Sequence, residues 1–178
     1  CRIIPDHAGS DSIPELDERL MATPAVAMER CHEVTMNMGF TSVRATRNAM
    51  HELKNHDGKR AESIREDERT ADRYEDELGT YLVKLSGCHL SDQDRVEAAE
   101  LLHMIGDFER ISDHAVNILE STEELRGKGI AFTQPAIEEM SKMFGAVDEI
   151  MDLALTAFIH GDISAAKEVE PLEQVVDT

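Results

Sequence analysis

The sequence is poor in aromatic residues. Its 178 residues contain no Trp, and aromatic side chains make up only 4% of the composition. Gly and Pro, at 10 and 5 residues, fall mostly between segments that have a helical apolar period, while Met, Ala, Leu and Glu are plentiful. This composition favours helices over sheets. The apolar content of 41% is enough for a buried core. We therefore predict an all-α protein.

Positive charge is also scarce. Lys and Arg number 18 against 37 Asp and Glu, which gives a formal net charge of -19. A chain this acidic repels phosphate backbones and anionic headgroups, so nucleic acid is excluded as a partner. The most apolar stretch, around 150–159, is interrupted by Asp152 and is too short to span a bilayer. We expect no direct membrane insertion by this chain.

The cysteines do not indicate a disulfide framework. Cys1, Cys31 and Cys88 are odd in number and lack CxxC or Cys/His zinc spacing, which predicts free thiols in a reducing compartment. The sequence has no nucleophile and base arrangement, glycine-rich phosphate loop or HExxH motif, so we expect no enzyme activity. Because it opens on Cys1 and not on Met, we interpret it as a piece of a longer protein.

Apolar periodicity and end signals predict five helices. Thr23 can cap the first, with Pro24 at its first position, and Ser91 with Asp94 forms a capping box at the third. Gly87 and Gly127 mark the ends of the second and third. Asp162 can cap the fifth. The predicted helices cover about 24–55, 59–86, 92–126, 133–160 and 162 onward.

Two expectations concern burial. On the first helix, we expect one row of side chains to face inward. The row comprises Ala25, Glu29, His32, Met36, Gly39, Val43, Thr46, Met50 and Leu53. The third helix carries a second apolar stripe, which predicts that it is buried on two sides and is the central helix. The stripe comprises Leu101, Met104, Phe108, Ile111, Ala115, Ile118 and Leu125.

A weak internal repeat sets the predicted domains. A shift of 102 residues aligns Glu68 with Glu170, but Asp72 with Gln174. We assign 1–23 to a linker or surface arm, 24–127 to a complete three-helix repeat and 128–178 to a partial second repeat. A second acidic site in the later repeat is doubtful, because Gln174 replaces the acid.

The inward seams of the second and third helices are each interrupted by glutamate. Glu68 and Glu109 occupy positions where the period demands an apolar residue, and each has an aspartate four residues later, Asp72 and Asp113. If these helices are antiparallel and joined near 86–91, residues whose numbers add to about 177 face each other, as 68 and 109 do. Sequence therefore predicts that the two acidic interruptions meet.

An unrelieved pair of carboxylates in a seam is costly, since two charges about 5 Å apart repel by roughly 3 kcal/mol at an effective dielectric near 20. Three kinds of relief stay open: a bound cation, a network with arginines, or a shared proton. The arginines at hand are Arg69, Arg73 and Arg110. Paired oxygen ligands one helical turn apart suit iron, manganese, magnesium or calcium.

A rival site uses a different spacing. Glu29 with His32, and Glu100 with His103, both spell ExxH, by which di-iron carboxylate bundles present two ligands on one face. Pairing along the first two helices puts His32 opposite about residue 82, roughly 20 Å from Glu68. We expect that the two ExxH pairs do not easily share a site. A ferritin-like di-iron protein is the alternative function.

The run DFERISDHAVN at 107–117, after EDERTADRYEDEL at 66–78, resembles the PhoU family of helical phosphate-regulation proteins. The likeness covers about 24–177. The opening ELDERLMATPAVAMERC is similar to the segment that joins the membrane portion of a sodium/phosphate cotransporter to its cytoplasmic PhoU-like tail.

The resemblance implies an elongated bundle in which E(D)xxxD pairs hold iron or zinc, and its pattern falls on Glu68, Asp72, Glu109 and Asp113. Other divalent cations stay open. It implies a regulatory role on the cytoplasmic side of the cell membrane, with the membrane transporter portion of the same polypeptide as partner. It leaves a homo-oligomer open.

Overall fold

The structure is a computed structural model that describes residues 16–176. Within this range the chain is all-α, as predicted, with five long helices, one short 3₁₀ helix and no strand. Each predicted helix is present, and its ends fall within a residue or two of the expected positions. The 3₁₀ helix is Glu18–Ala22, followed by α1 at Pro24–Lys54, α2 at Gly58–Ser86, α3 at Asp92–Gly127, α4 at Gln134–His160 and α5 at Ile163–Val176.

The helix starts follow the sequence signals, with one exception. At α3 the backbone N–H of Asp94 donates to Ser91 Oγ at 3.1 Å, and Ser91 N–H donates to Asp94 Oδ2 at 3.3 Å, so the capping box forms. Asp162 accepts from Ser164 N–H at 2.8 Å at the start of α5. Pro24 opens α1, but Thr23 makes no side-chain capping bond. The fixed φ of Pro24 and the missing proline N–H already suit a first helical position.

The end of α3 differs from expectation. Gly127 still belongs to the helix, and the left-handed conformation comes two residues later, at Gly129 with φ 67°. Gly161 at the end of α4 also has positive φ, 61°. Both positions favour glycine because a Cβ would be strained there.

The first three helices form the core bundle. The seam of α2 is buried at Ile64, Ala71 and Leu78, and that of α3 at Ala98 and Ile105. The predicted central position of α3 is wrong, because it is α1 that packs against α2, α3 and α4 together. A helix with three neighbours needs more than one apolar face.

The expected inward row of α1 is wrong only at its start. Ala25 and Glu29 are exposed, whereas Ala27, Cys31 and Val34 are fully or almost fully buried. A single helical stripe cannot describe a helix that contacts neighbours on several sides. The later members of the row are buried as expected, and they are Gly39, Val43, Thr46 and Met50.

The chain that leads into α1 lies against the bundle. Leu16, Leu20 and Met21 pack against the core, and Tyr81 on α2 donates a hydrogen bond from its hydroxyl to the Asp17 carbonyl at 3.0 Å. Residues 1–15 of the predicted arm lie outside the described range. The three domain boundaries stay predictions.

The α4 and α5 helices pack on each other, and α4 docks on α1. Phe144, Met151 and Leu155 of α4 are buried, and Arg47 of α1 forms ion pairs with Asp148 and with Asp152, the latter at 2.6 Å. The second predicted repeat is therefore attached to the bundle through one helix. Among the described helices, none is long and apolar enough to cross a membrane.

Candidate functional site

The two acidic motifs lie near each other across the interface of α2 and α3. Glu68 and Glu109 are half-buried at seam positions, while Asp72 and Asp113 are exposed at the edge. The charge of Asp113 on α3 acts on Glu68 of α2, and the charge of Asp72 on α2 acts on Glu109 of α3. The acids that act on each other across the two helices are thus offset by about one turn from the expected pairing of 68 with 109, and a direct contact of Glu68 with Glu109 stays a prediction. We call these four residues the acidic seam.

The environment of Glu68 disfavours its charge. Burial is the largest cause that raises the pKa of this carboxyl, and the charges of Asp113 and Asp72 raise the pKa further. Arg69, the next residue, lowers the pKa but has the smallest effect of the four causes. Glu68 is thus a carboxyl whose proton is held more tightly than usual.

Glu109 behaves in the same way. Burial raises its pKa most, followed by the charge of Asp113 and a side-chain hydrogen bond to Asp113. When Glu109 is protonated, its carboxyl can donate in that bond. The charges of Glu75 and Asp72 raise the pKa further. Glu75 lies on the predicted α2 seam and belongs to this neighbourhood, although it was not among the predicted site residues.

Arginine does little to relieve the acidic seam. Arg69 pairs with Glu62 on the outer face at 3.1 Å. Among the ion pairs of residues 16–176, the four seam carboxylates have no arginine partner, whether Arg69, Arg73 or Arg110. Of the three kinds of relief, the arginine network is therefore the least supported, while a bound cation and a shared proton both stay open.

The donor set can be compared with the needs of a metal ion. All four side chains offer carboxylate oxygen, which suits hard divalent cations and iron. In the described part of the chain, however, no group of three or more His, Cys, Asp or Glu side chains is arranged to hold a metal ion. The donor chemistry fits a cation, but the side-chain positions do not form a closed set of ligands.

A neighbouring acid that sequence reasoning missed has a structural role. Asp67, one residue before Glu68, is buried. Its carboxylate accepts hydrogen bonds from Nη2 and Nε of Arg44 on α1, at 2.7 Å and 3.1 Å. Asp67 points towards α1 while Glu68 points towards α3. Arg44 thereby neutralises one acid of α2 and leaves the acidic seam beside it without a cation.

A second missed acid is Glu52, whose side chain is fully buried at the end of α1. It accepts hydrogen bonds from the backbone N–H of Asp57 at 2.9 Å and 3.0 Å and contacts His56 and Arg60. These donors come from the α1–α2 turn and the first residues of α2. Glu52 therefore fixes the turn and is not part of the acidic seam. The helical period alone gave no signal for this role.

One residue of each ExxH pair lines the same cavity. Because α1 and α3 run in the same direction, His32 and Glu100 both line a cavity of about 480 Å³. The expectation that the two pairs do not easily share a site is not contradicted by this neighbourhood. The ring of His32 stacks on Phe158 with centroids 4.9 Å apart, and His103 is exposed. In the described residues these four side chains form no metal-binding group.

The fold is that of an antiparallel three-helix bundle with an acidic seam and an attached pair of helices. The model of the PhoU domain family matches residues 35–122, which fall within α1, α2 and α3. This match supports the PhoU family, to which the sequence bears a resemblance at the acidic motifs. Comparison with curated proteins and with solved structures gives no significant match.

Proposed function

We propose that the chain is a regulatory domain in phosphate homeostasis. The observation that carries this proposal is the match of residues 35–122 to the PhoU domain. The matched segment contains both acidic motifs and the three helices that form the core. The role requires binding and a conformational response, and no reacting group is assigned to it.

The finer proposal places this domain on the cytoplasmic side of a membrane, as part of a sodium-dependent phosphate transporter. Its support is the similarity of residues 15–31 to the segment that joins such a transporter to its PhoU-like tail. The acidic surface, with a net charge of -19, also disfavours direct contact with anionic lipid. The transporter portion would supply the membrane attachment, and this domain would adjust its activity.

Phosphate uptake in cells tests both levels. We expect that disrupting the coding sequence in its host changes the uptake of radiolabelled phosphate, most clearly when external phosphate is abundant. The intact gene should restore regulation, whereas a copy with Leu78→Asp in the fully buried core should not. Uptake and its regulation that do not respond to the disruption would reject the role in phosphate homeostasis.

Sodium separates the finer proposal from the coarser one. If the domain belongs to a sodium-dependent transporter, replacing sodium by choline should abolish the uptake that the disruption affects. Affected uptake that continues without sodium would reject the cotransporter and leave phosphate regulation in place. Long apolar segments encoded before Cys1 would support the membrane portion.

We also propose that the acidic seam binds a divalent cation, iron or zinc in the first instance, as part of this regulation. What supports the proposal is the mutual effect of the acids across α2 and α3, which raises the pKa of both Glu68 and Glu109, and the lack of an arginine partner among the described ion pairs. A cation bound between these acids would relieve their repulsion. Asp72 and Asp113 would complete the ligand set.

A further inference from the structure

A second surface lies at the opposite flank of the bundle, between the first turns of α1 and α3. Two adjoining cavities there, of about 480 and 570 Å³, share His32 and Glu97. Glu100 and Met104 line the first, and Glu29 lines the second. We call this surface the α1/α3 groove. It is formed on other helix faces than the acidic seam.

The floor of the α1/α3 groove is apolar and adaptable. Methionine contributes from both helices, and the end of α4 closes one side with Phe158, whose ring stacks on His32. Methionine-rich surfaces suit the docking of an apolar helix face because the thioether chain changes rotamer at little cost. The apolar lining includes Met28, Met36, Met104, Phe158 and Ile159.

The rim is acidic. Of the described residues that line the two cavities, none is Lys or Arg, in contrast to the cavity between α1 and α4, which Arg47 and Lys54 line. One of the acids, Glu33, is paired with Arg30 outside the lining. The acidic lining consists of Glu29, Glu33, Asp94, Glu97 and Glu100.

The dimensions suit a short helix. The lining residues run from 25 to 36 on α1 and from 93 to 104 on α3. Eleven residue steps at 1.5 Å give a groove about 16 Å long, or three helical turns. A helix that lies between α1 and α3 would present apolar residues at positions i, i+3, i+4 and i+7 to the floor.

We infer that the α1/α3 groove is a docking site for an amphipathic helix of a partner protein, one that carries Lys or Arg beside its apolar face. Apolar residues of that helix would cover the methionines and Phe158, and its cations would meet the acidic rim. The charge of the rim selects against an acidic helix by repulsion. The inference does not depend on the proposed role in phosphate homeostasis, because peptide binding needs no phosphate-dependent readout.

The test uses a fluorescent peptide of about 16 residues, with Leu at i, i+3, i+4 and i+7 and Lys elsewhere, titrated with the full chain at about 0.15 M salt. A peptide of the same composition with the leucines scattered around the helix is the first comparison. We expect the amphipathic peptide to bind at least tenfold more tightly, roughly 1.4 kcal/mol. Equal binding of the two peptides would overturn the inference.

Charge variants separate docking from general attraction. Glu97→Gln with Glu100→Gln should weaken binding of the amphipathic peptide, whereas Glu138→Gln with Glu139→Gln, exposed on α4, should not. Both pairs remove the same charge from the chain. Equal weakening by the two pairs would show attraction to the acidic surface as a whole and would overturn the proposal.

Val96 supplies a test of the apolar contact. Its side chain is 59% exposed at the edge of the first cavity, so Val96→Ser removes apolar surface without changing the charge of the chain. Charge attraction alone predicts unchanged binding of the lysine peptide. Docking on the apolar surface predicts weaker binding, and unchanged binding would overturn the inference.

Discussion

Arg44 of α1 holds both carboxylate oxygens of Asp67 of α2, and the two partners differ in exposure. The side chain of Asp67 is 8% exposed, whereas that of Arg44 is 60% exposed. The hydrogen bonds from Arg44 thus satisfy a carboxylate that water reaches poorly. The pair joins α1 to α2 directly beside the acidic seam.

This asymmetry predicts different costs for the two halves of the pair. Arg44→Ala leaves a buried carboxylate without a cation and should cost about 3 kcal/mol of unfolding free energy. Asp67→Ala leaves an arginine that water can solvate and should cost about 1 kcal/mol. Urea unfolding of both variants and of the double variant measures the difference. Equal costs would contradict the asymmetry.

Replacing the glycines in the middle of α1 and α2 by alanine should change stability in opposite directions. At Gly39 an added Cβ would lie 2.8 Å from Phe108 Cζ and 3.0 Å from Leu155 Cδ2, so Gly39→Ala should destabilise by about 1–2 kcal/mol. At Gly79 the nearest atom would be Ile105 Cδ1 at an ordinary 3.5 Å.

Gly79→Ala is therefore the matched control, and it should stabilise by up to about 1 kcal/mol through helix propensity. Thermal unfolding of both variants gives the comparison, with about 2–4 °C per kcal/mol expected for a domain of this size. Two shifts of the same sign would show that the close approach of Phe108 and Leu155 to Gly39 does not limit the packing.

The acidic seam could be predicted because it depends on one local relationship. The α2 and α3 seams follow a regular period, and a short turn makes them antiparallel, so counting residues brings the two acidic motifs together to within about one helical turn. The capping box at Ser91 is equally local. Such features need no knowledge of the rest of the molecule.

Features that depend on three helices could not be predicted in the same way. The central position of α1 follows from the docking of α4, which no local pattern specifies. His32 and Glu100 lie near each other because α1 and α3 are parallel, a relationship that pairing along α1 and α2 does not test. The role of Asp67 depends on which side of α2 faces α1, and an acid beside an apolar stripe looks like any exposed acid.

The raised pKa values of Glu68 and Glu109 predict a stability that depends on pH. The folded chain holds these protons more tightly than the unfolded chain, so the stabilisation is complete below the ordinary value of 4.5 and is lost as pH rises through the raised folded value. Glu109→Gln removes the charge permanently. It should therefore stabilise the fold at pH 7 by about 0.5 kcal/mol, the scale of a like-charge pair one turn apart.

Thermal unfolding between pH 4 and 8, in roughly half-unit steps and with a chelator present, measures this effect. The gain from Glu109→Gln should shrink to nothing below pH 4.5, where the parent carboxyl is also neutral. Glu66→Gln, exposed on α2, is the control and should show no such trend. A gain that is constant across this range would reject the raised pKa as its cause.

The last prediction is that the acidic seam binds a metal ion. Protein purified without chelator should contain iron or zinc, and Glu109→Ala with Asp113→Ala should lose it. Glu120→Ala with Glu124→Ala removes two exposed carboxylates at the same spacing on the same helix and should keep it. Added Mn²⁺, Fe²⁺ or Zn²⁺ at about 100 times its dissociation constant should stabilise the parent chain by about 2.7 kcal/mol.

The raised pKa of Glu109 gives this prediction a second readout. At about pH 4.5, where much of Glu109 is protonated, a cation that binds its carboxylate must release the proton, so the calorimetric heat of binding should depend on the ionisation enthalpy of the buffer. The dependence should disappear in the Glu109→Ala, Asp113→Ala variant. If the parent chain and this variant hold the same metal, or if binding at this pH releases no proton, Glu109 is not a metal ligand.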